Sequence, residues 1–486
     1  MLPLLVGLLV AGGPLLNGSW DLWAQSALML AVTIGFALWL CGRLAVGYLP
    51  LPSLRTLRWV GVLAALAGVS AYAAPLSAYA VPSGHVWVAA LWIFGVIAAL
   101  SKDDRSGVDQ AVRAAGWVMV LLAFYQYFRY GIDRPYASLL NQNCFAGAIL
   151  MLLPLAAQKQ DWALAGGLLV CLWWSHSVGA WLGLAAALVV VRRTGAAGFW
   201  AGCAAGFICL VAIYGKLQSP EVLHRWQWWL SAARMAWERP WFGFGPGTFA
   251  YVLPAYQEPG RGLTSLFAHQ HFLETAAELG LPFMSIWTFG ILRCLKRGSP
   301  HKRFAALAVL VQSLWDYSLS IPGNLWLFSY CAASTVPESS RAVNVPARWK
   351  LPACLLVLGV AGVACRFLWL RWDADLLRAR AVEEARAGAP AERVMALLER
   401  SRQVSEHPET TRLAAEVELR LAQSDPRPER LLLSAAEHLQ SSVRLDPYRA
   451  STWRALEGVY AQLGRPDLAR EARLAGAATC PGLRLP

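Results

Sequence analysis

Thirteen apolar runs, separated by short polar loops, follow one another between residues 2 and 370. In hydrocarbon every backbone N–H and C=O must be satisfied within its own segment or a closed barrel, and a spanning helix needs about 20 mainly apolar residues. The runs near 24–41, 58–80, 84–100, 110–128, 270–293 and 350–370 approach that length, while those near 144–157, 162–176, 178–191, 304–318 and 322–336 are shorter. The expected fold class is therefore all-α: a polytopic membrane helical bundle with about 12–13 transmembrane helices. Composition agrees, because only 15% of the residues are charged and 57% are hydrophobic, against roughly 25% charged in a soluble domain. The first run has no basic segment before it and no clear cleavage pattern after it, and reads as a retained helix rather than a signal peptide.

Orientation follows from lysine and arginine. One set of alternate loops carries Arg43, Arg55 and Arg58, then Lys102 and Arg105, then Lys159, Arg192 and Arg193. It continues with Arg293, Lys296, Arg297, Lys302 and Arg303, and ends with Arg341, Arg348 and Lys350. The opposite short loops hold little more than Arg129 and Arg134. The positive-inside rule makes the first set cytoplasmic. The N-terminus is then inside, and the loop 215–269 and everything after 371 are outside. The net charge of +13 thus encodes topology, and nucleic acid is not an expected partner.

Two domains are expected: a membrane domain over 1–371 and an extracytoplasmic helical domain over 372–486. The second is rich in Arg, Glu and Ala, contains no lysine and reads as amphipathic helices. Trp453, Leu456, Tyr460, Gly464, Ala469 and Pro481 sit at tetratricopeptide offsets, and Pro447 recurs as Pro481 after the repeat period of 34 residues. Such helix pairs offer a surface to a protein partner; the competing reading is a plain helical hairpin.

Few ionisable residues lie within the apolar runs, which argues against an ion-coupled transporter. The ten cysteines form no CxxC and mostly lie in or beside apolar runs, so neither a disulfide framework nor a metal site is expected. Asp103 and Asp104 fall on the basic, cytoplasmic side and read as a solvated loop. Polar density is concentrated instead in the loop 215–269 and at the start of the following run. The loop opens with a helical stretch, Glu221 to Glu238, in which Leu223, Trp226, Leu230, Ala233 and Trp237 make an apolar stripe suited to a membrane interface. Pro240 ends it. Gly243-Phe244-Gly245-Pro246-Gly247 lacks the preceding strand of a phosphate-binding loop and reads as a tight turn. His269-Gln270-His271 then opens the next run, where an imidazole at a helix N-terminus is held neutral by the unpaired amides and is able to take a proton from a hydroxyl. The competing reading is a histidine that only caps the helix.

Together these segments resemble the bacterial O-antigen ligase family, with its related O-antigen polymerases and O-oligosaccharyltransferases. The resemblance runs from about Asn141 to Ile321. It rests on Arg225 with Trp229, on Pro240-Trp241-Phe242-Gly243-Phe244-Gly245-Pro246-Gly247-Thr248-Phe249, on His269 through Leu273, and on Glu278-Leu279-Gly280. Asn141-Gln142-Asn143-Cys144 looks like an earlier family helix start, and Ser313-Leu314-Trp315-Asp316-Tyr317 with Pro322 resembles a late family segment. Gln270 stands where Asn is usual, an amide with the same donors and acceptor. Val178 stands where the family commonly has Arg.

The resemblance implies a GT-C-like membrane fold and transfer of a glycan from a polyprenyl (undecaprenyl) diphosphate carrier, without metal or cofactor. The acceptor is a glycan, a lipid A–core or a protein, and the place is the outer face of the bacterial inner membrane, among membrane lipids. Arg225 would clamp the diphosphate and His269 would act as general base. Gln270, Asn143 and Asp316 would bind substrate. Arg129, Arg134 or Arg261 would supply the cation missing at Val178. A polymerase of lipid-linked repeat units shares the same donor and is the alternative. A transporter or a membrane scaffold is more remote.

Overall fold

The computed structural model describes residues 1–191, 200, 203, 206–207, 220–257, 264–296, 298–336 and 340–481. In chain order it begins with α1 (Leu2–Leu15), α2 (Leu22–Val46), β1 (Tyr48–Pro52), α3 (Leu54–Tyr72), α4 (Ser77–Ala99) and α5 (Lys102–Tyr130). Three shorter helices follow, α6 (Gln142–Gln158), α7 (Trp162–Ser175) and α8 (Val178–Val191). After them come α9 (Pro220–Glu238), α10 (Phe249–Tyr256), α11 (His271–Leu279) and α12 (Leu281–Leu295). The membrane part closes with α13 (Pro300–Gln312), α14 (Pro322–Ala333), β2 (Ser340–Asn344) and α15 (Ala347–Arg386). The tail adds α16 (Ala391–Val404), α17 (Pro408–Ala422), α18 (Glu429–Leu445), α19 (Ala450–Gln462) and α20 (Pro466–Thr479).

The fold is an all-α membrane bundle. Among the described residues α2, α3, α4, α5 and α15 are long and apolar enough to cross a bilayer, and α1, α6, α7, α8 and α12 are shorter apolar helices. Three expected runs are corrected. The run 58–80 holds two helices, because the chain leaves helical geometry between Tyr72 and Ser77. The run 270–293 is broken at Gly280, whose φ of +86° ends α11 and starts α12. The run 304–318 stops being α-helical at Gln312. The run near 195–214 lies almost wholly outside the described residues.

Helix ends carry ordinary signals. Ser53 Oγ accepts the Thr56 N–H at 3.2 Å to cap α3, Ser101 Oγ accepts the Asp104 N–H at 3.2 Å to cap α5, and Gly47 and Gly131 close α2 and α5 in left-handed conformation. The main core runs through the bundle, with Phe145, Trp326, Phe328 and Tyr330 fully buried. Small residues let helices approach: a Cβ on Gly183 would meet the Ala308 carbonyl oxygen at 2.2 Å where α8 crosses α13.

The two ends of the bundle differ. At one end β1 and β2 pair antiparallel, Tyr48 opposite Asn344 and Pro52 opposite Ser340. Lys350 Nζ donates to the Ala45 carbonyl at 2.9 Å beside this ribbon. Inside the same end, Lys302 Nζ donates to Asp109 at 2.7 Å and to the Tyr330 hydroxyl at 2.6 Å, with Lys159 3.6 Å from the same carboxylate. These charges neutralise one another, as intramembrane ions must.

At the other end the tail docks. α15 runs unbroken across residue 372, so the expected domain boundary falls inside one helix. The tail has cores of its own, around Leu432, Leu439, Leu456 and Tyr460 and around Ala381, Val394 and Leu398. It also touches the bundle: the Tyr79 ring on α4 stacks on Tyr251 of α10 at 3.7 Å and meets His407 edge-on at 4.9 Å. The Tyr79 hydroxyl donates to Asp446 at 3.4 Å.

Candidate functional site

α9 forms as expected and stops before Pro240. Ser231, Ala232, Met235 and Ala236 are buried against α10 and its surroundings, whereas Trp226, Leu230, Ala233 and Trp237 are exposed. The helix is thus apolar on two sides, one facing protein and one facing outward. Arg225 lies between them and donates from Nη1 to the Trp315 carbonyl at 2.8 Å. That bond ties α9 to the segment after α13, and among the described residues it is the guanidinium's one hydrogen bond.

The glycine turn is architectural. Phe244 N–H donates to the Ala277 carbonyl at 3.0 Å and Gly245 N–H to the Glu278 carbonyl at 2.8 Å, so the turn wraps the end of α11. The Glu278 carboxylate accepts the Gly247 N–H at 2.8 Å and the Phe249 N–H at 3.0 Å, closing the first turn of α10. Gly243 has φ +64° and a Cβ there would lie 2.3 Å from the Glu278 carbonyl, so no side chain fits. The turn binds its own helix, not a phosphate.

His269 does not stand on a helix. α11 begins at His271 with Gln270 as its N-cap: Gln270 is extended and its side-chain oxygen accepts the Leu273 N–H at 2.5 Å. Gln270, expected to bind substrate, makes this capping bond, and His269 lies one residue outside the helix, at φ +56°. Non-glycine residues seldom adopt that conformation and hold it only when neighbours impose it. Here they do. The buried Glu274 carboxylate accepts the Ala268 N–H at 2.7 Å and the Ser320 hydroxyl at 2.5 Å, fixing the chain just before the histidine.

The imidazole is sandwiched. Its ring stacks on Trp228 of α9 at 5.0 Å and meets Tyr317 edge-on at 4.7 Å. Nδ1 is buried without a partner among the described residues. Burial, and then the Arg225 charge, push the ring down to about 3 from its ordinary value, so it is neutral near pH 7. Burial and a neighbouring cation, rather than a helix terminus, favour the neutral ring.

The structure brings Arg225, His269 and Asp316 together: the guanidinium acts electrostatically on both of the others. Asp316 is buried and turned onto its own chain, accepting the Tyr317 N–H at 2.7 Å. Asn143 supplies its carbonyl to Gln312 at 3.0 Å and to Ser318 at 3.1 Å. Its neighbour Asn141 is closer to the site, because its amide bonds the Tyr317 hydroxyl. Arg129 at the end of α5 and Arg134 just after it are exposed, with no bond to Arg225 or His269 among the described residues. Arg261 lies outside the described residues. Sequence reasoning missed Trp228, Tyr317 and Glu274. The available signal was their place inside or beside the quoted segments, since nothing in their spacing separates them from packing aromatics and a helix-start carboxylate.

His271 is different in kind. It is 2% exposed, its N–H donates to the Ser313 carbonyl at 3.0 Å, and its ring lies between Trp87 at 6.0 Å and Trp287 at 5.4 Å. It faces the bundle interior, away from Trp228.

Comparison with known proteins bears on this geometry. No curated protein matches the chain. Residues 163–288 match the model of the O-antigen ligase family, a span narrower than the resemblance in sequence. That span includes Arg225, the glycine turn, His269 and Glu278, and omits Asn143 and Asp316. The chain is thus a multi-pass bundle of apolar helices in which residues 163–288 are similar to the O-antigen ligase family.

Proposed function

We propose that the protein transfers a glycan from a polyprenyl diphosphate carrier to an acceptor at the extracytoplasmic face, as a ligase or oligosaccharyltransferase. The observation that carries this reading is the convergence of Arg225 and His269, 44 residues apart in sequence, within electrostatic reach of each other at the tail end of the bundle. In the reaction the acceptor oxygen attacks the anomeric carbon, the bond to the diphosphate oxygen breaks, and the acceptor proton passes to the neutral imidazole. Arg225 neutralises the diphosphate in the ground state and the charge growing on it as it leaves. Binding of that anion also cancels the effect of the guanidinium on His269 and makes the ring a stronger base.

His269→Ala should lower transfer about 10²–10⁴-fold, the usual range for a lost general base. Arg225→Lys should also impair it, because a point charge cannot reproduce the bidentate fork. Both are read as glycan joined to acceptor by membranes containing equal amounts of folded protein, and normal transfer by His269→Ala would sink the mechanism. Deletion separates ligase from polymerase: long lipid-linked chains should accumulate, whereas single lipid-linked units would assign polymerisation.

A further inference from the structure

At the ribbon end, far from His269, a groove of about 550 Å³ opens between α3, α4 and α12. Its polarity is ordered. Arg55, Ser53 and Thr56 at the start of α3 and Arg293 near the end of α12 line its outer part. One turn deeper, Trp59, Phe94 and Gly290 line its inner part. Gly290 makes the inner wall possible. A Cβ there would fall 2.2 Å from the Trp59 indole nitrogen, so only glycine lets the indole lie flat against α12, where it donates to the Ile286 carbonyl at 3.1 Å. Trp59 packs on Phe94 at 4.8 Å behind it, and Phe289 is 67% exposed at the rim.

The charge is one-sided. No Asp or Glu lines the groove, both arginines are exposed, and neither pairs with a carboxylate among the described residues. The Ser53 and Thr56 hydroxyls, 3.0 Å apart, add polar groups beside the arginines. An anion with an apolar extension fits: oxygens on two guanidinium forks, a chain along the indole and phenyl rings. We propose that this groove is a binding site for one anionic phospholipid, whose phosphate sits between Arg55 and Arg293 and whose acyl chain lies over Trp59 and Phe289. The site is independent of the glycan-transfer reading.

The test uses the full chain, stripped of lipid in detergent, with bound lipid counted by native mass spectrometry. Phosphatidylglycerol should be retained about tenfold or more over phosphatidylcholine of the same chains, given two arginines at the headgroup. The double variant Arg55→Gln/Arg293→Gln should reduce the two lipids to parity, and Phe289→Ser should weaken phosphatidylglycerol alone. Arg348→Gln, an exposed arginine at the same end but outside the groove, should leave retention unchanged. Equal retention of the two lipids by the wild type would overturn the proposal. So would an equal loss in Arg348→Gln, which would mean general surface charge. Competition by soluble glycerol phosphate at matching concentration would also overturn it, by reducing the site to a phosphate pocket without a chain groove.

Discussion

His269 is held by its main chain and by two aromatic neighbours, Trp228 and Tyr317. Its depressed pKa sets a pH dependence with a definite sign. The free enzyme keeps the neutral ring down to about pH 3, so kcat/KM should show no loss from this group between pH 8 and 5. In the complex the diphosphate raises the ring's pKa, so the acid limb of kcat should lie higher than that of kcat/KM. Coincident acid limbs in the two profiles would argue that no anion lies beside the ring. His271→Ala should act on the fold instead. Removing a ring packed between Trp87 and Trp287 leaves a cavity, expected to cost on the order of 2–4 kcal/mol, while activity per folded molecule stays near normal. A His271→Ala protein that is fully stable yet inactive would exchange the roles of the two histidines.

Two elements, the glycine turn and α11, stand or fall together. The Glu278 carboxylate accepts the amides of Gly247 in the turn and Phe249 at the start of α10, and its own carbonyl accepts both Gly245 N–H and the Ser70 hydroxyl, the latter at 3.0 Å. Gly243→Ala puts a methyl into the Glu278 carbonyl and forces a left-handed alanine, so it should destabilise by about 1–3 kcal/mol or more. A thermal melt of the detergent-solubilised protein checks this, and an unshifted midpoint would show that the turn does not clamp α11. The second element with a double role is α9. Its inward face is a protein core and its outward face, Trp226 to Trp237, is what the interfacial stripe of the sequence requires.

Across the whole molecule, the alternating charge and the shared end of α4, α10 and the tail make one prediction about sidedness. A reporter active only in the cytoplasm, fused after Pro486, should be silent; an active fusion would reverse the orientation and move the site inside. The joint between tail and bundle makes another. His407 caps α17 by accepting the Glu409 N–H at Nδ1, 3.3 Å away, and burial together with Arg378, Arg371 and Arg449 holds its pKa well below the ordinary value. The unfolded chain therefore binds a proton below about pH 6.5 that the folded one does not. Stability contributed here is intact above that pH and falls as pH drops. Protection of the α17 amides, corrected for the intrinsic exchange rate at each pH, should fall between pH 7 and 5, and His407→Asn, which still caps but does not titrate, should flatten the change. An unchanged slope in that variant would remove His407 from the account.

Apolar runs, their flanking charges, the breaker Pro240 and the glycine turn were legible because each is decided within about 20 residues, by the membrane's demand for internal hydrogen bonds and by local sterics. The all-α bundle and α9 follow from those, whereas the pairing of Arg225 with His269 was implied by the resemblance to the ligase family. The partners of each candidate were not legible. That Gln270 caps and expels His269 from the helix, that Glu274 holds Ala268, that Trp228 and Tyr317 enclose the ring, and that Asn141 reaches Tyr317 all depend on contacts between distant segments. A period in the sequence states which face of a helix is apolar. It does not state which of two apolar faces meets protein, nor which buried polar group meets which other, because those pairings are settled only when the helices pack.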